Sequence, residues 1–415
     1  MRFDSAIIGG GLAGLVCGIS MAKRGKKCII LSSGQSAMQF SSGSFDLLSR
    51  LPDGAYVPNP VKAIEELSRQ SPLHPYAKIG VERFEDLAME AKRLLSEIGV
   101  SYDGDATRNH FRISPMGETK PTWLSNTNTL YSEDSCTLPF QQTLLCNFAG
   151  FLDFYPTMIA SELQKKGIAV EIAPIRMEAL QRLRKNPTEM RSANIALVFD
   201  KESNLNELAG LLNRLASNTE AIVLPAVFGL DNVKAIEYLK YKVDKPIYLI
   251  STLTPSVPGI RLQKRMQNYF VQLGGIYMLG DTVLHVEEGS KEHFRLYSAN
   301  HGDVPIEAEK VVLASGSFFS KGLVATPKRI YEPIMDLTVR HDTDRSAWYE
   351  DSVFGNHRYL SYGIQTDSQF RAMKDQKVLP NVYVVGAGLE GFNPIKEGCG
   401  AGVSMLTALF VAKQL

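Results

Sequence analysis

Apolar residues recur along this chain in short runs that alternate with helix-period stretches, and glycine marks most of the changes. Phe3 to Ile8 predicts a strand, Gly9-Gly10-Gly11 a turn, Leu12 to Lys23 an apolar helix stopped at Arg24-Gly25, and Lys27 to Leu31 a second buried strand. These make one strand–turn–helix–strand unit in about 30 residues. Val81 to Ile98 has helical periodicity and ends at Gly99. Thr107 to Ser135 is polar, with Pro and Gly, and reads as loops and short strands. Alternation resumes with a strand at Leu144 to Phe148, a helix opening at Pro156 and stopping at Gly167, and a strand at Ala169 to Ile172. Strand, helix and strand are predicted again at Ala196–Phe199, Leu205–Leu215 and Ala221–Leu224, then helix and strand at Val233–Tyr241 and Ile247–Ile250. A helix over Gly259–Leu273 leads to short strands at Tyr277–Met278, Thr282–Val286 and Lys310–Ala314. The chain closes with a strand at Val382–Val385 and a helix over Val403–Lys413. The pattern predicts an α/β protein with a split core: residues 1–98 and 259–415 form a Rossmann-type core, and 99–258 an inserted α/β cap domain.

At 415 residues the chain can bury more than one core. Lys plus Arg is 45 and Asp plus Glu is 44, so the charge balance argues against nucleic acid and against a polybasic membrane anchor. No apolar stretch of roughly 20 residues is present, so attachment to a membrane requires a partner. Five cysteines, odd in number and without a C-x-x-C pair, argue against a disulfide framework and a zinc ribbon, and no metal ligand set is expected.

Gly9-x-Gly11-x-x-Gly14 follows a strand and opens a helix, which is the setting of a dinucleotide fingerprint. The first glycine permits the turn, the second lets backbone approach a pyrophosphate, and the third lets helix meet strand. The helix N-terminus offers unpaired N–H groups to phosphate. The acid expected to hold a ribose about 20 residues on is absent, and Ser32 occupies its place. A hydroxyl lacks the charge-assisted bond of a carboxylate. The substitution disfavours NAD and favours FMN, which has no adenosine ribose, over FAD, or else a degenerate site.

Three further segments resemble those of fumarate-reductase-type flavoproteins. Ser41-Ser42-Gly43-Ser44 matches a small-residue segment that touches the flavin ring, which places Ser42 and Gly43 there. Val311 to Gly316 matches the strand that closes over the nucleotide. Asn381 to Gly388 matches the second flavin signature, with Ala387 where an acid is usual; Gly386 and Gly388 belong to it. Gly398-Cys399-Gly400-Ala401-Gly402 opens the last helix, whose N-terminus in that family points at the flavin's pyrimidine edge, implying a role for Gly400. Cys399 reads as a small packed residue among glycines.

Over its full length the chain resembles the B-subunit family of anaerobic glycerol-3-phosphate dehydrogenase. The resemblance rests on RFDSAIIGGGLAGLVCG, FSSGSFDLLSRLPDG, PSVPGIRLQ, ASGSFFSKGL and GFNPIKEGCGAGV, and the serine at position 32 belongs to it. It implies FMN in this chain, an FAD-bearing A subunit and a membrane-associated iron–sulfur C subunit. It also implies oxidation of sn-glycerol 3-phosphate to dihydroxyacetone phosphate with electrons passing to menaquinone, and onward to fumarate or nitrate. The complex is then expected on the cytoplasmic face of the inner membrane, held peripherally. Flavin-dependent alcohol oxidation needs a base, and no motif names one. His110, in Asn109-His110-Phe111-Arg112, is a candidate, and Arg261 could bind an anion. Three readings stay open at this point: a flavin subunit that relays electrons, a self-sufficient dehydrogenase of another small anion, and a flavin-free structural subunit.

Overall fold

A computed structural model describes residues 2–186, 190–289 and 293–415. Five parallel strands form the heart of an eight-stranded sheet, in the order Ile276–Leu279, Cys28–Ser32, Arg2–Ile8, Ile306–Leu313, Lys377–Val384. The opening strand is central because it is apolar on both faces. Ile7 pairs in register with Ile30 on one side and Val312 on the other, and all three are buried. Ile306–Leu313 serves two partners on its far side. Its first half pairs antiparallel with Phe294–Ser298, which pairs with Val283–Glu288, while its second half runs parallel to Lys377–Val384. The chain's beginning and end thus meet in one sheet, as the split pattern predicts.

Helix Leu12–Ala22 buries nine of its eleven residues, lying between the sheet and the closing helix Gly400–Gln414. Such a helix is apolar all round because it is covered all round. Gly18 makes this possible: a Cβ there would lie 2.8 Å from Ile30 Cδ1.

The inserted segment builds its own four-stranded parallel sheet, in the order Ile247–Ile250, Ala221–Pro225, Gln142–Phe148, Ala169–Ile175. Its apolar cluster runs from Ile113 to Val257. Val100, Tyr102, Ala106, Trp123 and Leu124 pack instead with the first core, beyond the expected boundary at residue 99. Between the two cores lie short antiparallel pieces, among them His110–Ile113 flanked by Thr119–Thr122 and Tyr131–Ser132.

One element differs in kind from the pattern. Ala196–Phe199, expected as a strand, is the end of helix Ser192–Phe199. Four apolar residues cannot distinguish the two periods. Burial of Ile195, Ala196 and Phe199 with Leu197 left 46% exposed is a helical face, and the Phe199 ring packs 5.0 Å from those of Phe148 and Phe228. Helices Pro60–Gln70 and Pro75–Ile79 lie outside the predicted elements. The first opens on Asn59, whose side chain accepts the Lys62 N–H at 3.0 Å.

Candidate functional site

The glycine turn is set by close packing at two positions and left open at the third. Gly9 has φ +117°, and a Cβ there would fall 2.2 Å from the Ala314 carbonyl oxygen. A Cβ on Gly14 would fall 1.9 Å from the Gly9 carbonyl oxygen. Gly11 is different: it caps helix Leu12–Ala22 in extended geometry, and the nearest atom to its missing Cβ is Ser36 Cβ at 3.8 Å. No side chain among the described residues caps this helix end, and its first internal bond is Leu15 N–H to Gly11 at 2.9 Å. The N–H groups before that bond have no side-chain acceptor among the described residues at the positive end of the helix, the arrangement that suits a phosphate.

The other glycine segments converge here. A Cβ on Gly386 would fall 2.8 Å from Ala13 Cβ, and one on Gly388 3.2 Å from the Gly316 carbonyl oxygen, so three of the glycine-bearing segments meet at the turn. Gly43 packs against Pro258 instead, and Ser42 Oγ accepts the Ser44 N–H at 3.3 Å. Ser32 is buried at the end of its strand. Its hydroxyl donates to the Gly34 carbonyl at 2.8 Å, while Tyr277 donates its own to the Gly10 carbonyl at 3.3 Å. Neutral hydroxyls thus stand at the end of this strand, where a carboxylate is usual.

At the closing helix the structure departs from the expectation for Gly400. The backbone N–H groups of Gly400 and Ala401 act on the carboxylate of Asp46, and the Gly402 N–H donates to the Asp46 carbonyl at 2.9 Å. This helix end thus has a resident acid, which a pattern of glycines could not reveal. Burial raises the Asp46 pKa, and the N–H groups and the nearby Arg112 oppose that shift.

Asp46 also lines a cavity of about 290 Å³ that sequence reasoning missed. Its walls come from three places: Ser44 to Asp46 with Ser49 and Arg50 after the small-residue segment, Arg112 and Lys120 to Thr122 on the antiparallel piece, and Pro394 to Lys396 with Gly398 ahead of the closing helix. Arg50, Arg112, Lys120 and Lys396 bring four cations to one carboxylate. The sequence signal was faint, because these residues lie some 350 positions apart at the extremes and share no motif.

Neither sequence-named catalytic candidate lines this cavity. His110 is buried with Nε2 2.7 Å from Ser125 Oγ and its ring against Tyr131. Arg261 Nη1 donates to the Phe228 and Gly229 carbonyls, both at 3.1 Å, so it ties helix Val257–Gln272 to the inserted sheet's loop and does not present a free fork to an anion. Burial lowers the His110 pKa from 6.5 to about 4, with Asp105 opposing the shift and Arg112 adding to it. The folded value lies below the unfolded one, so His110 costs stability as pH falls from about 6.5 toward 4, at roughly 1.4 kcal/mol for each pH unit between the two values. His110→Gln is therefore expected to flatten the drop in melting temperature between pH 7 and pH 4.5. Parallel curves for parent and variant in that window would contradict this reading.

Behind the cavity wall, His74, Glu397 and Cys399 form a buried cluster whose donor atoms all lie within 4.8 Å of one another. No motif pointed to them as a group. His74 Nδ1 accepts the Tyr76 N–H at 3.0 Å, which leaves the proton on Nε2, 3.0 Å from Glu397 Oε2. Burial, reinforced by Glu397 and Asp46, holds the Cys399 thiol well above its usual range, which agrees with a packed thiol.

Fold and turn together define a flavoprotein of the Rossmann type, and the family model described as FAD binding domain matches residues 4–403. Reading Ser32 as a sign of FMN finds no support in that match. The chain belongs to the B-subunit family of anaerobic glycerol-3-phosphate dehydrogenase. It is 48% identical to the B subunit of Yersinia enterocolitica over 100% of this chain and 98% of the relative, and 41% identical to that of Pectobacterium atrosepticum over 100% and 99%. Among solved structures, 3-ketosteroid delta1-dehydrogenase from Sterolibacterium denitrificans is 10% identical with a TM-score of 0.47, covering 100% of this chain and 99% of that one. Among the described residues no helix is long and apolar enough to cross a membrane.

Proposed function

We propose that this chain is the flavin-bearing B subunit of a quinone-linked glycerol-3-phosphate dehydrogenase that oxidises sn-glycerol 3-phosphate to dihydroxyacetone phosphate. The carbinol loses a hydride and a proton, and its two electrons pass to menaquinone and onward to fumarate or nitrate. Its partners are an FAD-bearing A subunit and a membrane-associated iron–sulfur C subunit, which hold it peripherally at the cytoplasmic face of the inner membrane. The observation that carries the reading is the helix end at Gly11, which no side chain among the described residues caps and where a side chain would meet nothing closer than Ser36 Cβ at 3.8 Å. The cofactor we assign is FAD: Gly9, Gly11 and Gly14 form a diphosphate cradle, and FMN carries one phosphate. Ser32, Gly316, Gly386 and Gly388 flank it, while Ser42, Gly43 and Gly400 border the far end. FAD would supply the two-electron acceptor. The chain's own residues bind the diphosphate through backbone N–H groups and hold a carboxylate, Asp46, beside the cavity.

A flavin-free structural subunit is the second reading, favoured by Asp46 occupying the closing helix's N-terminus. Purification under reducing conditions, the visible spectrum, and chromatography of any released flavin separate the two. FAD is the expected product. Released FMN would restore the single-phosphate assignment. A colourless chain that neither flavin reconstitutes would overturn the proposal. Turnover of glycerol 3-phosphate by the lone chain with an artificial acceptor would show that it is a self-sufficient dehydrogenase.

A further inference from the structure

Arg112 and Lys120 face each other directly across two antiparallel strands, Arg112 in His110–Ile113 and Lys120 in Thr119–Thr122. Like charges in that position repel. Both line the 290 Å³ cavity with Lys396. The Arg112 Nη1 atom is sealed from solvent and has no hydrogen-bond partner among the described residues. Burial lowers the Arg112 pKa and Asp46 opposes the shift, yet Asp46 is itself engaged by the Gly400 and Ala401 N–H groups. Lys120 and Lys396 likewise have no side-chain partner among the described residues. A guanidinium nitrogen sealed from water with no hydrogen-bond partner is unfavourable, and the exposed ammonium groups of Lys120 and Lys396 add positive charge to the same cavity without a carboxylate of their own.

We propose that this cavity is a phosphate subsite, in which Arg112 is the principal ligand and Lys120 and Lys396 supply the second and third positive charges. A guanidinium fork matches phosphate oxygens two at a time, and a dianion needs more than one cation to neutralise it. The single carboxylate repels phosphate but accepts a bond from a hydroxyl. One acid among these cations therefore suits a small molecule with a phosphate at one end and hydroxyl groups at the other. Naming sn-glycerol 3-phosphate as that molecule rests on the proposed function; the phosphate chemistry rests on the cavity alone. The site places substrate contact on this chain and not only on its partner.

The test is calorimetric titration of the full-length, flavin-loaded chain with inorganic phosphate, sn-glycerol 3-phosphate and glycerol. Phosphate and glycerol 3-phosphate are expected to bind and compete, and glycerol to give no signal. Arg112→Gln should weaken phosphate binding by roughly tenfold to a hundredfold, the loss of a charge-assisted pair. Lys120→Gln, at an exposed position that does not endanger folding, should weaken it about threefold to tenfold. Flavin content should be unchanged in both. Parental phosphate affinity in both variants would overturn the subsite, and so would loss of flavin from Arg112→Gln, which would make Arg112 a cofactor ligand. Arg112-dependent phosphate binding with which glycerol 3-phosphate does not compete would uphold the subsite and refute the proposed substrate.

Discussion

A chain carrying Gly11→Asp is expected to purify folded, to melt no lower than the parent apoprotein, and to be colourless. The position makes this separation possible. Gly11 has φ −82° and ψ −168°, which any residue can adopt, and its missing Cβ has only Ser36 Cβ nearby, at 3.8 Å. Aspartate is among the best N-cap residues, and its charge suits the positive helix end, so the substitution favours the helix by up to about 1 kcal/mol. The same carboxylate fills the N–H groups meant for phosphate and repels it. Losing two charge-assisted bonds at about 1.5–3 kcal/mol each weakens flavin binding by roughly 10²–10⁴. Flavin released per chain and the apoprotein melting temperature are the two readouts. A flavin-replete Gly11→Asp chain would place the cofactor elsewhere. Gly14→Ala is the control with the opposite signature: its Cβ would meet the Gly9 carbonyl oxygen at 1.9 Å, so it lowers stability itself.

The contrast between Gly11 and Gly14 also shows what the sequence could disclose. The order strand, glycine turn, helix, strand was legible because each junction has a local cause: apolar runs that suit a sheet covered on both faces, and glycines that stop or open helices. The split core was legible because both of its halves carry such runs. The Ala196–Phe199 helix was not, since four apolar residues fit either period and the decision lay with the Phe148 and Phe228 rings across the inserted core. The site divides in the same way. Gly9, Gly11, Gly14, Gly316, Gly386 and Gly388 announce themselves by composition. Asp46, Arg112, Lys120 and Lys396 are ordinary surface types in sequence, and only tertiary packing makes a cavity of them. His110 and Arg261 stood out as lone polar residues in distinctive strings, yet their partners, the Ser125 hydroxyl and the Phe228 and Gly229 carbonyls, are structural.

Substitution of His74 in the His74–Glu397 pair is expected to have the second-largest effect, and the double substitution a smaller one. His74 is wholly buried and Glu397 nearly so. Oε2 of Glu397 accepts the imidazole Nε2–H at 3.0 Å, while Oε1 accepts the Asn393 N–H at 2.7 Å. The main-chain carbonyl of Glu397 accepts the N–H groups of Ser49 and Arg50 at 2.8 and 3.0 Å, so the pair fixes the strap that walls the cavity against the segment carrying Asp46. His74→Leu strands a buried carboxylate, and Glu397→Leu strands a buried imidazole N–H. The first should cost about 3–5 kcal/mol, a fall in melting temperature on the order of 10 °C, and the second, which leaves a neutral donor, about 1–3 kcal/mol. His74→Leu with Glu397→Leu removes both polar groups together. The Tyr76 and Asn393 N–H groups and the weakly donating Cys399 thiol then lose partners but no charge is left stranded, so the double variant should melt above His74→Leu. Melting temperatures of the four chains give the coupling directly. Additive losses would mean that the two side chains are independent and that the strap is held by the backbone bonds of Ser49 and Arg50 alone. A coupled pair would make the cavity wall a built feature of the fold, with the phosphate subsite depending on a contact between residues 323 positions apart.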